Sequence, residues 1–353
     1  MSVYFRGKSS ADITTAKRNE EMMYINGETA RSRALAFCII LVGSLCFGGA
    51  PAMAAEKLIT IAYPGLSAEL FPVIVAEKRG FFQKVGLRPA LTLMPSGVTT
   101  TALSLKELDY TTNGSALLTG ALQGLGVRVV AGIANRNLFT LVVASNIKTP
   151  PDLKDKTIGV NAFGGTQALS TETYLRRIGL EPGKDVRFLA IGSATARLAA
   201  LDKNLIQATL LPPPANVLAE RKGYRILVQG DEMIKVPIGL FGTHLDKIRT
   251  DRDEVVRVIT AVLSAIEFIH NQPKEASELL AQWAKIESVS AQRVYELVVD
   301  GYPEDGRLIE DEILALAELI QKAGNLKTTT PLSINNLLDP GPLKEAIGRL
   351  GRR

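Results

Sequence analysis

The chain has 353 residues, 46% of them hydrophobic, with 41 Lys/Arg against 36 Asp/Glu. That is enough apolar material for two separate cores, and it excludes a disordered, collagenous or disulfide-built chain. The first 54 residues carry six Lys/Arg and four Asp/Glu, which leaves 35 against 32 elsewhere with no block of five like charges, a solvated surface with a mild attraction for anions and not a nucleic-acid footprint.

In chain order, the first feature is a leader. Arg31 and Arg33 precede an apolar run from Ala34 to Phe47, broken only by Gly43 and Ser44, and Ala52-Met53-Ala54 follows. A basic flank, a short apolar core and small residues at the cut predict a secretory signal peptide cleaved after Ala54, and hence a periplasmic protein. The run is shorter than the roughly 20 residues that a bilayer-spanning helix needs. Thirty residues precede the basic flank, so Met22 or Met23 is an alternative start. Both cysteines, Cys38 and Cys46, fall inside the leader, which leaves the mature chain without disulfides, thiolate metal sites or a cysteine nucleophile.

From Lys57 onward, β-branched runs alternate with helical stretches. Strands are predicted at 58–63, 89–93, 110–112, 127–131 and 138–144, with helices at 70–79, 98–106 and 115–122 between them. After a boundary at Thr149-Pro150-Pro151, strands are predicted at 157–160, 186–190, 208–211 and 224–228. Helices start at Thr166, Ala194 and Ala215. An apolar strand follows at 237–242, and the rest reads as helix: one with Thr250 as N-cap and Val255, Val258, Ile259, Val262, Leu263 and Ile266 on one face, then 273–283, 290–299 and 309–323, closed by Gly324. The alternation predicts an α/β protein of two lobes, each a mostly parallel sheet flanked by helices, with a helical C-terminal region packed on the first lobe. The expected division is a leader over 1–54, a discontinuous first lobe over 55–144 and 237–353, and a second lobe over 145–236. Chain crossings near 142–147 and 232–238 form a hinge, and ligands in such sheets bind at the carboxyl ends of the strands.

Several segments resemble a known family. Phe71-Pro72-Val73-Ile74-Val75-Ala76-Glu77-Lys78-Arg79-Gly80-Phe81-Phe82 is similar to the Ala-x-x-x-Gly-Phe-Phe segment of ABC transporter solute-binding proteins of the nitrate/sulfonate/taurine type, the sulfonate-binding and thiamine-precursor-synthase-like family. Leu105–Tyr110 resembles its Gly-Glu-Leu-Asp turn, and Asp152-Leu153-Lys154-Asp155-Lys156-Thr157-Ile158-Gly159-Val160 its Asp-Leu-Lys-Gly-Lys-x-Ile-Gly-Val run. The stretch from Ile191 to Ala219 fits as well, and the resemblance covers nearly all of 57–345. Asp155 stands where the family has Gly, and Lys203–Gln207 replaces its Gly-x-x-Asp turn. The resemblance implies a type II periplasmic binding protein fold and the solute-binding component of an ABC importer. The implied ligand is a small organic anion, a sulfonate or carboxylate, and the implied partner a membrane permease. A monomer with no cofactor, no metal and no catalysis is expected. A periplasmic sensor-input protein and a pyrimidine-precursor-related enzyme on the same fold are the alternatives.

The candidate ligand-binding residues lie in loops after strands. Asn161, Gly164, Gly165 and Thr166 open a helix whose free N–H groups attract an anion, with Thr166 able to cap it. Asn113 and Ser115 form the matching loop in the first lobe. Ser67, Phe71 and Pro213 complete the walls, and Glu69 is read as a helix cap. Arg136 is a solvated loop residue able to meet an acidic group. His244 and His270 lie too far apart, with no Glu or His at ligand spacing, for metal chemistry.

Overall fold

The computed structural model describes residues 56–323 and 331–352. The leader, its two cysteines, the cut after Ala54 and the Gly324 cap lie outside these residues.

Among the described residues, ten strands form two five-stranded sheets. They are β1 (Lys57–Tyr63), β2 (Leu87–Leu93), β3 (Tyr110–Asn113), β4 (Val127–Ala134), β5 (Thr140–Val143), β6 (Thr157–Val160), β7 (Arg187–Ala190), β8 (Ala208–Leu211), β9 (Arg225–Gln229) and β10 (Gly239–His244). The first sheet runs β2-β1-β3-β10-β4 and the second β7-β6-β8-β5-β9. In each sheet four strands point one way. The exception is β10 in the first, antiparallel to β3 and β4, and β5 in the second, antiparallel to β8 and β9.

The reversed strands are the ones that follow a passage between sheets. Thr140, the first residue of β5, pairs with Leu211 at the end of β8, and Gly239, the first of β10, pairs with Asn113 at the end of β3. Both passages therefore run along the carboxyl edges of the other strands. The sequence pattern suggested a first passage at 142–147, after a strand of the first lobe. The structure places that strand in the second sheet, so the first passage is 135–139 and the second 230–238. The error is physical: an apolar run of four residues reads the same in either sheet, and pairing alone decides which sheet takes it.

Helices cover the sheets: α1 (Phe71–Lys78), α2 (Ser96–Ser104), α3 (Gly114–Leu122), α4 (Thr166–Arg177), α5 (Ala194–Asp202), α6 (Ala215–Arg221), α7 (Arg252–Asn271), α8 (Pro273–Ala284), α9 (Ser288–Val298), α10 (Glu310–Ala323) and α11 (Gly341–Arg349). The predicted stripe on α7 is the face that packs on α1 and α11, and Val255, Val258, Ile259, Val262, Leu263 and Ile266 are all buried. Each such side chain contributes about 1.5–3 kcal/mol when fully buried. Thr250 is not the cap of α7. It ends a short helix, Leu245–Thr250, and its hydroxyl donates to the Asp246 carbonyl at 2.9 Å, leaving Asp251 at the α7 N-cap. From the C-terminal region, α10 packs on α3 and also meets α4, while α9 meets α6, so helices associated with the first sheet bridge to the second. Among the described residues no helix is long and apolar enough to cross a membrane.

Candidate functional site

The carboxyl ends of β1, β3, β6 and β8 carry the loops that the sequence singled out. Two of these loops touch: the Ala68 N–H donates to the Pro213 carbonyl at 2.9 Å, which joins the segment after β1 to the loop after β8. The Ala68 carbonyl in turn accepts the Tyr302 hydroxyl at 2.6 Å. Ser67 is buried beside this contact and its hydroxyl donates to the Glu69 carboxylate. Phe71 is not on this wall. It is turned wholly into the core, 5.9 Å from the Trp283 ring.

At the end of β3, Asn113 caps α3. Its Oδ1 accepts from the Ala116 N–H at 3.2 Å and from the Ser115 hydroxyl at 3.0 Å, and its Nδ2 donates to Ser96 Oγ at 2.9 Å. This is capping chemistry, and it fixes where both polar groups sit. At the end of β6, Gly164 adopts φ +73, a left-handed turn that glycine takes without strain, and Gly165 becomes the N-cap of α4. Thr166 is therefore the first helical residue and not the cap. Gly165 has no side chain to satisfy the first N–H groups of α4, so a partly positive helix end is presented to whatever enters.

Three buried side-chain oxygens just at or past strand ends lack a hydrogen-bond partner among the described residues. Thr112 Oγ1 and Asn161 Oδ1 are buried without a hydrogen-bond partner among the described residues, one at the end of β3 and the other just past β6. Asn135 Oδ1, in the first passage, is a third. Buried polar groups in folded proteins are paired in all but a few instances, so each of these atoms is open to an additional partner.

Arg197 and Asn137, not singled out from the sequence, add to the picture, and Arg136 and Glu69 take roles other than those expected. Arg197, on α5, is 1% exposed. Its guanidinium donates from Nε to Thr209 Oγ1 at 3.1 Å, from Nη2 to Gln167 Oε1 at 2.9 Å and to the Leu210 carbonyl at 3.2 Å, and from Nη1 to the Gly192 carbonyl. No carboxylate pairs with it among the described residues, and burial lowers its pKa to about 10. Through Gln167 this positive charge lies behind the first turn of α4. The sequence held a signal for it, since Arg197 precedes Leu201 by four residues and shares its inward face. Asn137 lies in the first passage, 3% exposed, and its Nδ2 donates to the Gly230 and Ile234 carbonyls of the second, each at 3.2 Å. Gly230 passes so close to Asn137 that a Cβ there would lie 2.2 Å from the Asn137 carbonyl oxygen. Arg136 ties the same passages together by pairing with Asp231 at 2.9 Å, which makes it a passage residue and not a free loop cation. Glu69 does not cap a helix but accepts the Ser67 hydroxyl, and burial raises its carboxyl to about 7.

The histidines are structural. His244 Nδ1 accepts from the Asp246 N–H at 3.1 Å, and His270 Nε2 lies 2.9 Å from the Tyr302 carbonyl. A cavity of about 590 Å³ adjoins the passages, bordered by Arg136, Asp231, Lys235 and Glu312, with charges of both signs. Exposed apolar side chains, Leu66 and Leu93 at strand ends of the first sheet and Phe163 and Leu189 at those of the second, stand at the carboxyl edges.

The family described as NMT1/THI5 like matches residues 67–276. A search of curated proteins finds no match. Among solved structures, a protein from Bordetella bronchiseptica RB50 superposes with a TM-score of 0.73 at 19% identity, covering 85% of this chain and 99% of that one. The periplasmic aliphatic sulphonate binding protein SsuA of Escherichia coli gives 0.64 at 17%, over 80% and 92%. The periplasmic nitrate-binding protein NrtA of Synechocystis PCC 6803 gives 0.66 at 15%, over 83% and 89%. These likenesses show the fold, the two-sheet α/β architecture of periplasmic binding proteins.

Proposed function

Since the chain belongs to the NMT1/THI5-like family, we propose that it is the exported solute-binding component of an ABC importer, holding a small organic anion of the sulfonate or carboxylate type between two hinged lobes. The observation that carries this reading is the presence of unpartnered buried polar atoms at the ends of β3 and β6 together with an unneutralised guanidinium behind the first turn of α4. An acid entering there meets the free N–H groups at the start of α4, where the helix dipole is worth about 0.3–1 kcal/mol and up to about 2 when partly buried. Arg197 adds positive potential from behind. Leu66, Leu93, Phe163 and Leu189 offer an apolar rim for the organic body. The solved neighbours named above as sulphonate- and nitrate-binding support an acidic ligand.

The passages held by Asn137 and Arg136 act as the hinge, the first lobe being the first sheet with its helices and the second lobe the second sheet. Closure buries the solute, and the closed form is what a permease recognises. Ligand shifts the open–closed balance only by its difference in affinity for the two forms. The periplasmic location and a monomeric state belong to the same reading, and the leader over 1–54 supplies the export. Binding without turnover is proposed, since both histidines are committed to structural hydrogen bonds.

The test is titration calorimetry of the mature protein against alkanesulfonates, carboxylates, nitrate and pyrimidines, with small-angle scattering on the ligand that binds. Saturable binding of an acid with a fall in radius of gyration is expected. A protein blind to every acid in the panel sinks the proposal, and binding of the neutral pyrimidines alone transfers it to a different ligand class.

A further inference from the structure

The helices α8 and α9 form a hairpin whose base and tip are held in different ways. The base is built into the first lobe. Ala276 and Leu280 of α8 are fully buried, α8 packs on α1 and α7, and the Trp283 ring lies 5.9 Å from Phe71. The Tyr295 hydroxyl of α9 donates to the Ile269 carbonyl of α7 at 3.0 Å. The tip instead meets α6, which packs on β5, β9 and α5 and so belongs with the second sheet. Arg221, in the last turn of α6, donates from Nη1 to the Glu287 carboxylate at 2.7 Å and to the Ser290 hydroxyl at 2.6 Å.

The chemistry of the tip suits a contact that is made and broken. Arg221 stands at the C-terminal end of α6 and Glu287 at the N-cap of α9, the two places where a helix dipole favours a cation and an anion. Each charge is therefore stabilised by its own helix, and neither is stranded when the pair separates. The two side chains are 47% and 69% exposed, and Val289 between Glu287 and Ser290 is exposed as well. An ion pair in such contact with water is screened and changes an equilibrium by about fivefold at most. The buried apolar base resists separation far more strongly. When the lobes part, the base stays on α1 and α7 and the tip lets go of α6.

We propose that the α8–α9 hairpin is a strap from the first lobe that fastens to the second at Arg221 when the lobes close, and that this fastening sets how readily the site closes and how tightly it holds its solute. This rests on the hinged-lobe reading above and adds the regulation of that same site. Arg221 acts through closure, as a positioning residue. A contact made only in the closed form adds its free energy to the closing equilibrium, and through it to the apparent affinity.

The experiment compares the mature protein with Arg221→Ala, Glu287→Ala and the double variant. Small-angle scattering without solute gives the radius of gyration, and calorimetry gives the affinity for ethanesulfonate and propanoate. Each single variant is expected to enlarge the solute-free radius, to weaken binding about three- to tenfold, or both. The double variant is expected to go no further than the single ones, because the two residues act as one fastening. Trp283, the single tryptophan of the chain, is the control, and its emission is expected to stay the same throughout because the base does not move. Singles that leave both radius and affinity unchanged overturn the strap, and so do effects that simply add in the double variant. A shift in Trp283 emission shows the hairpin leaving its own lobe and overturns the anchoring. Where neither acid binds, the function proposed above fails on its own account, and the solute-free radius alone decides for or against the strap.

Discussion

Glu69 carries a stability cost that can be measured apart from any ligand. Its carboxyl titrates at about 7 in the folded chain because burial outweighs the Ser67 hydrogen bond, against an ordinary value of 4.5. Between those values the folded chain binds the extra proton, so stability falls as pH rises through the window and stays reduced above it. The shift corresponds to about 3 kcal/mol. Glu69→Gln is therefore expected to raise the free energy of unfolding at pH 8 by about 1–3 kcal/mol and to change it little near pH 4, read by urea titration. Arg197 is the converse case, a charge whose hydrogen bonds are nearly all made. Arg197→Lys keeps the charge but loses the fork that reaches Thr209, Gln167, Leu210 and Gly192 together. A loss of about 2–4 kcal/mol is expected from the stranded carbonyls, together with weaker binding of acids. Unaltered stability in that variant shows that the four acceptors find other donors.

At the scale of elements, the two passages behave as one part. Asn137 and Gly230 meet at a separation that only glycine allows, and Asn137 satisfies two carbonyls of the facing passage. Asn137→Ala is expected to cost about 1–3 kcal/mol, since those carbonyls lose their donor while remaining buried. It is also expected to enlarge the ligand-free radius of gyration in scattering, whereas a purely local packing role leaves the radius unchanged. The opposite edge of the first sheet is held by charge. Lys57 bonds Asp251 and Glu254, and Lys247 bridges Asp109 at 2.6 Å to Glu254. Burial opposes the Asp109 charge, but Lys247 and Thr60 outweigh it, and the Lys57 bond holds Asp251 down, so both acids lie below 3.8. Their stabilisation is present above about pH 4 and is lost as pH falls through their folded values. The free energy of unfolding is thus expected to drop below pH 4 for this reason and to decline from pH 4.5 to 7 because of Glu69, with its maximum between; Glu69→Gln removes only the second slope.

For the whole molecule, the order of elements was legible because β-branched runs and helical stripes repeat strongly: β1, β6, β8 and α7 stand within a residue or two of where the pattern puts them. The loops at Asn113, Asn161 and Pro213 were legible as the ends of β3, β6 and β8. Less legible was anything that depends on partners far along the chain. The direction of β5 and β10 is set by where the chain returns, and no residue in Thr140–Val143 encodes it. Phe71 reads as a wall until the packing of α8 is known, and the acceptors that hold Arg197, Gln167 of α4 among them, lie far from it in the chain. Glu69 sits in an apolar run, and only three-dimensional burial shows that it has no counter-ion.

The reversed strands also bear on how the chain assembles. Everything in the second sheet, from β5 to β9, is one uninterrupted stretch, whereas the first sheet waits for β10 to slot between β3 and β4. Closing that gap joins residues more than a hundred positions apart, as at Gly239 and Asn113, and long closures of this kind come late. The insert is thus the portion able to mature first, and the surrounding half is completed only once the insert has brought its two ends, at 140 and 229, side by side on β5 and β9. Assembly of the two passages is then the step that commits the molecule to its final form.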